Sequence, residues 1–335
     1  MCQAVAGEKF EGARVPSQEQ LERHHAWVSG EAQWRGTLRL MQALWREEQG
    51  LPIGRHPRSG SSSRPLGSRI AMPEAKESLG NYLTDTIRQV VRDELAAASA
   101  DQKLFSAPRI YDDLLSSQPL CFNLFGELKA DLGVATALGR HIWPNRVQRV
   151  TRIEFEHSPG RGDVAYLGNR SAFDVYLEHT TPEGGLGFIG IEVKYHEDLR
   201  TESDETRERV HEVALNSGLF DEHDIPKLAR PPLQQVWFDH LLALSMLLAD
   251  RERWQGNGLF VFLHPAANLA SYRVVSRYER CLRRPGAFQR LTLEEVLAAL
   301  QVVNEAPWVE LFRDRYLAYR KAQGVRGDSD GRRHV

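Results

Sequence analysis

Cysteine is scarce in this chain of 335 residues: Cys2, Cys121 and Cys281 stand far apart and are odd in number. That spacing argues against a disulfide framework and a thiolate metal cluster, and leaves each thiol a small buried or incidental residue rather than a nucleophile. Long hydrophobic runs are missing too. The most apolar window, "HLLALSMLLAD" at 240–250, is too short to span a bilayer, so no membrane partner is expected. The opening "MCQAVAGEKFEGARVPSQ" lacks the basic start and apolar stretch of a secretory signal, from which a cytoplasmic protein is expected. P-loop, H-E-x-x-H and G-x-S-x-G sequences do not occur, so NTPase, zinc-protease and serine-hydrolase chemistries find no support. A dinucleotide-dependent enzyme is not expected either.

Neither sign of charge dominates, because 43 Lys and Arg against 45 Asp and Glu leave a formal net charge of -2. The whole-chain balance therefore neither suggests nor excludes nucleic acid, and any basic surface must be local. Arg55, Arg58, Arg64 and Arg69 in one loop, and Arg326, Arg332 and Arg333 in the tail, are the local excesses. Runs of this kind are ordinarily solvated.

What is present is ordinary globular composition, 41% hydrophobic and 26% charged, which suits one core with additions or two small domains. Residues 18–49 read as one amphipathic helix within an N-terminal helical segment, 1–53. The Gly, Ser and Pro content after it reads as a flexible linker, 54–72. A helix near 74–99 falls in the part leading into the core, 73–117. The main α/β domain is expected at 118–320, and a flexible tail at 321–335. Inside that domain, 120–138 reads as helix, while 146–158 and 171–180 alternate as strands.

The turn "TPEGGLG" joins the second strand to "GFIGIEVKYH", 187–196, making a three-stranded antiparallel meander. A long polar stretch from Glu197 to about Pro232 separates it from a strongly apolar helix at 233–250 and a short buried strand at 258–265. The remainder reads as helical, with Thr292 and Glu295 as a capping box. The order of elements suggests one mixed sheet flanked by helices.

Glu192 and Lys194 stand out because they interrupt an apolar strand, where ionised groups are costly unless paired or holding a metal. Residues two apart share a strand face, so both project together while Ile191 and Val193 go to the opposite side. The hairpin can bring Asp174 onto the same face. Two carboxylates and an amine suit a hard divalent cation and phosphodiester hydrolysis, in which the ammonium orients the attacking water or stabilises charge on the phosphate.

Asp174, then seventeen intervening residues, then Glu192-Val193-Lys194, resembles the PD-(D/E)XK nuclease superfamily. The order of elements over residues 118–265 is similar to that family's restriction-endonuclease-like αβββαβ core, here with a helical N-terminal addition. The resemblance implies that Asp174, Glu192 and the Val193 carbonyl hold Mg²⁺ or Mn²⁺ and that Lys194 positions the water. It further implies a catalytic role for Glu127 on the first helix, and supporting roles for Gln234 and Gln235. The expected partner is nucleic acid, DNA rather than RNA, with a homodimer among the assemblies it admits and defence against foreign DNA as an analogy of fold. Phe173 departs from the pattern, since the family usually has proline there.

Plainer readings stand beside these. A Glu-x-Lys pair can be a cross-strand salt bridge, Glu127 an exposed helix residue, and Gln234 and Gln235 first-turn polar groups. His240 reads as a packed core histidine, Asp163 as a turn carboxylate, and Glu154, Glu156 and His157 as a solvated strand face that could also lie near the cleft. A catalytically silent domain that binds nucleic acid or a protein partner is the alternative to the enzyme. An interaction protein whose sheet only looks nuclease-like is a third reading.

Overall fold

The computed structural model describes residues 15–56, 63–200, 208–284 and 286–323. Cys2, Arg58 and the tail arginines Arg326, Arg332 and Arg333 lie outside them. The chain divides into two compact units, one of residues 1–81, 111–115 and 311–335, the other of residues 82–110 and 116–310. The second unit takes in most of the core domain expected at 118–320, together with residues 82–110.

In the first unit, α1 (Gln18–Arg23) opens with a Ser17–Gln20 capping box, and α2 (Gln33–Glu48) follows. One continuous helix over 18–49 was the expectation, and it is corrected. His25 at φ 53 and Gly30 at φ 74 adopt left-handed backbone, which a right-handed helix cannot propagate through. The linker expected at 54–72 is also corrected for its described residues. β1 (Ile53–Arg55) and β2 (Pro65–Ile70) pair antiparallel, with Arg55 opposite Pro65. Leu66 to Ile70 are buried, so burial overrides the loop-like composition. In the same unit the Arg315 guanidinium, 1% exposed, bonds the Gln42 and Asn81 side chains and stacks on Trp45. Those partners satisfy its buried charge.

The helix expected at 74–99 is two helices, α3 (Glu74–Ser78) and α4 (Asp85–Ala97), the second capped by the Thr84 hydroxyl. In the second unit, α5 (Ser117–Ala130) and α6 (Leu132–Ile142) replace a single helix over 120–138. Asp131 ends one and caps the other, accepting from the Gly133 and Val134 amides.

Strands β3 (Arg149–His157), β4 (Phe173–Thr180) and β5 (Leu186–Val193) form the antiparallel meander, with Val175 opposite Ile191. After α7 (Glu208–Ser217) and the buried α8 (Gln234–Ala249), β6 (Gly258–His264) pairs parallel to β5. The chain closes this unit with α9 (Leu269–Glu279), β7 (Phe288–Thr292) and α10 (Leu293–Val303). β7 was not expected; it pairs parallel to β6 and completes a five-stranded mixed sheet ordered β3-β4-β5-β6-β7. The capping box at Thr292 and Glu295 is present. This is the restriction-endonuclease-like α/β architecture.

The letters G-x-G-x-x-G do occur, at Gly185 to Gly190, but they run from a turn into β5 rather than from a strand into a helix. No dinucleotide cradle is built there. Gly190 is needed for another reason: a Cβ on it would lie 2.4 Å from the Phe173 ring.

His264 at the end of β6 is fully buried and bonds the Pro265 carbonyl at 2.7 Å, and burial pushes its pKa down to about 4. The unfolded chain therefore takes up this proton first, near pH 6.5. Stability present above that pH is lost as pH falls towards 4, by about 3 kcal/mol for a shift of this size. Urea unfolding of wild type and His264→Gln between pH 7 and 4 should show the variant losing correspondingly less.

Candidate active site

The site is built from the C-terminal end of β5, the start of β4 and one face of α8. Glu192 and Lys194 are 5% and 7% exposed, and the Lys194 Nζ donates to Glu192 Oε1 at 2.5 Å. The alternation of β5 puts them on one face, as period-two geometry requires. The β4–β5 register continued by one residue sets Asp174 opposite Glu192, and the Val193 amide donates to Asp174 Oδ2 at 2.9 Å. From α8, Gln235 Nε2 donates to Glu192 Oε1 at 3.2 Å. Gln234 is buried in the same turn.

One turn beyond Gln235, at i+4 on the same helical face, stands Asp239. It is 8% exposed, and its Oδ2 has no hydrogen-bond partner among the described residues. Sequence reading passed over it because a lone acid within "VWFDHLLALS" looks like a helix residue of no consequence; its spacing from Gln235 was the available signal.

The charges are unbalanced. Burial, then repulsion from Glu192, holds the Asp174 carboxyl well above the carboxylate range. Burial and then Asp239 push Glu192 up to about 8, and burial pushes Asp239 up to about 7. Burial alone would lower Lys194, but Glu192 and further acids outweigh it and keep the ammonium charged. Four acids, Glu192, Glu197, Asp174 and Asp239, thus act on one ammonium, with Glu192 and Asp239 buried and Asp174 and Glu197 half-buried. Cys121 on α5 lies in the same field, and its thiol is raised well above the ordinary value by burial and then by Asp174 and Glu192. A thiol so held is a poor nucleophile.

Glu127 is not brought into hydrogen-bond contact with this cluster. Its carboxylate accepts from the Thr84 hydroxyl at 2.5 Å. The acid of the first elements whose charge reaches Asp174 and Glu192 is Glu156 on β3. Glu156 takes φ 51 between Phe155, opposite Val175, and His157, opposite Phe173, and it pairs with Arg161 at 2.8 Å. Left-handed backbone at a non-glycine strand residue is uncommon and re-aims the side chain. Together with Asp174 it lines a small pocket that Phe105, Phe122 and Phe155 close with aromatic rings.

The other residues singled out have local partners. Glu154 is drawn down to about 2 by its hydrogen bond from His157 at 2.6 Å. His240 packs against Phe260 and meets the Tyr278 hydroxyl at 2.7 Å, and Asp163 caps its turn through the Ala165 amide. Elsewhere on the same unit, Asp221, His223 and Asp224 offer ligand atoms within 4.8 Å of one another, a candidate metal-coordinating cluster. It is solvent-facing and Asp221 is already paired with Arg283.

The mixed sheet and its flanking helices define a restriction-endonuclease-like α/β protein. Residues 29–318 match the family model of the PD-(D/E)XK nuclease superfamily, and the chain belongs to that superfamily. The matched span takes in residues of both compact units. No curated protein and no solved structure matches the chain. Among the described residues no helix is long and apolar enough to cross a membrane.

Proposed function

We propose that the protein is a metal-dependent nuclease that hydrolyses phosphodiester bonds, with DNA the expected substrate over RNA, at Asp174, Glu192 and Lys194. The supporting observation is an excess of acid around one base: Glu192 and Asp239, both buried, and the half-buried Asp174 and Glu197 act on the single Lys194 ammonium, and Asp239 Oδ2 has no partner among the described residues. A hard divalent cation neutralises such a set with oxygen ligands.

Asp174, Glu192 and the Val193 carbonyl would hold Mg²⁺ or Mn²⁺, with Asp239 available as a further carboxylate. The ion would polarise a phosphoryl oxygen and make a water more acidic. The chain's own groups do the positioning. The Val193 amide fixes the Asp174 carboxylate, and Gln235 fixes Glu192. Lys194, fully charged, is placed to orient the attacking water and to stabilise charge that develops on the phosphate.

The test uses supercoiled plasmid, single-stranded DNA and single-stranded RNA, each with Mg²⁺, with Mn²⁺ and with excess chelator. Cleavage of DNA with either cation, stopped by chelator and restored by added Mn²⁺, is the expected result. Tight binding to nucleic acid without any cleavage would instead leave a catalytically silent binding domain.

A further inference from the structure

α9 begins beside the candidate site. The Asn268 side chain, which caps the helix, donates to the carbonyls of Tyr195 and Glu197, and the Ser271 hydroxyl also donates to Glu197. Tyr195 is the residue after Lys194. One face of α9 packs inward through Val274, Val275 and Tyr278. The opposite face is exposed and carries Arg273, Arg277 and Arg280, spaced i, i+4 and i+7.

The chain is slightly acidic overall, yet residues 269–290 contain six arginines and one acid, Glu279. Arg273, Arg277, Arg280 and the following Arg284 make no ion pair with a described residue. Some arginines on other helices of this protein are paired within a turn, as in Arg23–Glu19, Arg88–Asp85 and Arg209–Glu212, while the exposed Arg92 and Arg140 bond neutral partners, the Gln89 side chain and the Gln148 carbonyl. Like charges one turn apart destabilise a helix. The helix dipole compensates Arg277 and Arg280 near the C-terminus but not Arg273 in the first half. Tyr272, 47% exposed, lies on the same side, with the Arg290 guanidinium 4.5 Å above its ring.

We propose that this arginine face of α9 binds the sugar–phosphate backbone of a nucleic acid and leads it towards Lys194. The proposal rests on the nuclease reading for its substrate. Three guanidinium groups rise over roughly 10 Å along the helix, an array for successive phosphates. Tyr272 adds an aromatic surface for a sugar or an unstacked base, which an acidic protein partner would not require.

The experiment compares wild type with Arg273→Ala/Arg277→Ala/Arg280→Ala, all surface changes, and with the triple lysine variant. Binding of a labelled DNA duplex and its RNA counterpart is titrated in chelator across a range of salt, with polyglutamate as a second ligand. Hydrolysis of bis(p-nitrophenyl) phosphate with Mn²⁺, too small to reach α9, is measured beside it. The alanine variant should bind on the order of 10–100-fold more weakly, with a log–log salt slope shallower by roughly three. The lysine variant should keep the slope, small-diester hydrolysis should not change, and the tighter of the two duplexes identifies the polymer.

Unchanged duplex affinity and slope in the alanine variant would overturn the proposal. So would a loss of binding seen with polyglutamate alone, which would mark an acidic protein as the partner. If wild type cleaves neither plasmid DNA nor the small diester, the nuclease reading fails, while the binding titrations still decide what α9 does.

Discussion

Lys194→Met should lose cleavage and fold stability together. Removing a preorganised charge from the reacting phosphate costs about 10²–10³ in rate. The same change strands Glu192, 5% exposed and bonded at 2.5 Å to the ammonium, without its cation. Breaking a buried pair from one side costs about 3–5 kcal/mol, and proton uptake by the stranded carboxyl relieves part of that. Adding Glu192→Gln removes the stranded charge, so Glu192→Gln/Lys194→Met should recover most of the stability and none of the activity. Single-turnover cleavage of a labelled duplex and urea unfolding on the same preparations provide the two readouts. A Lys194→Met protein that cuts normally would dismiss the site outright.

Asp239→Asn should move the same two quantities in opposite directions. In the protein without cation, burial is the main cost to the Asp239 carboxylate, Lys194 attracts it more than Asp174 repels it, and its Oδ2 has no hydrogen-bond partner among the described residues. An amide of the same shape carries no charge and brings a donor into a cluster rich in acceptors, which should stabilise the fold by about 1–3 kcal/mol. If the carboxylate helps to hold a divalent ion, cleavage should fall at least about tenfold, and the rise in Tm on adding Mn²⁺ should shrink. A variant that is less stable, with an unaltered response to Mn²⁺, would make Asp239 an ordinary structural residue. The expected pattern, stability gained and function lost, is what a strained functional site predicts.

The strand that carries Glu192 was legible because its signal is local. Period-two alternation puts Glu192 with Lys194, and a hairpin with a Gly-rich turn brings Asp174 beside them; both follow from a few residues of sequence. The capping box at Thr292 was legible for the same reason. What was missed depends on tertiary context. β2 has Pro, Gly and Ser in its sequence and is a strand because its side chains are buried. β7 is five residues long, too short for alternation to stand out beside the helix it leads into. Asp239 and Glu156 come into the field of Asp174 and Glu192 only when α8 and the end of β3 are laid against β5, and no spacing rule links positions 156, 192 and 239. Glu127 was assigned by analogy of position, and the hydroxyl of Thr84 occupies it instead.

Phe173 and Gly190 act as one unit. The benzyl ring fills the space that a methyl group on the glycine would take, so neither position tolerates enlargement on its own. A compact proline at 173 would free 190 to carry a side chain, and an alanine at 190 would demand a smaller neighbour across the ladder. The first letter of the nuclease signature is then a matter of steric fit to the adjoining strand, and in diverging sequences the two positions should change in concert.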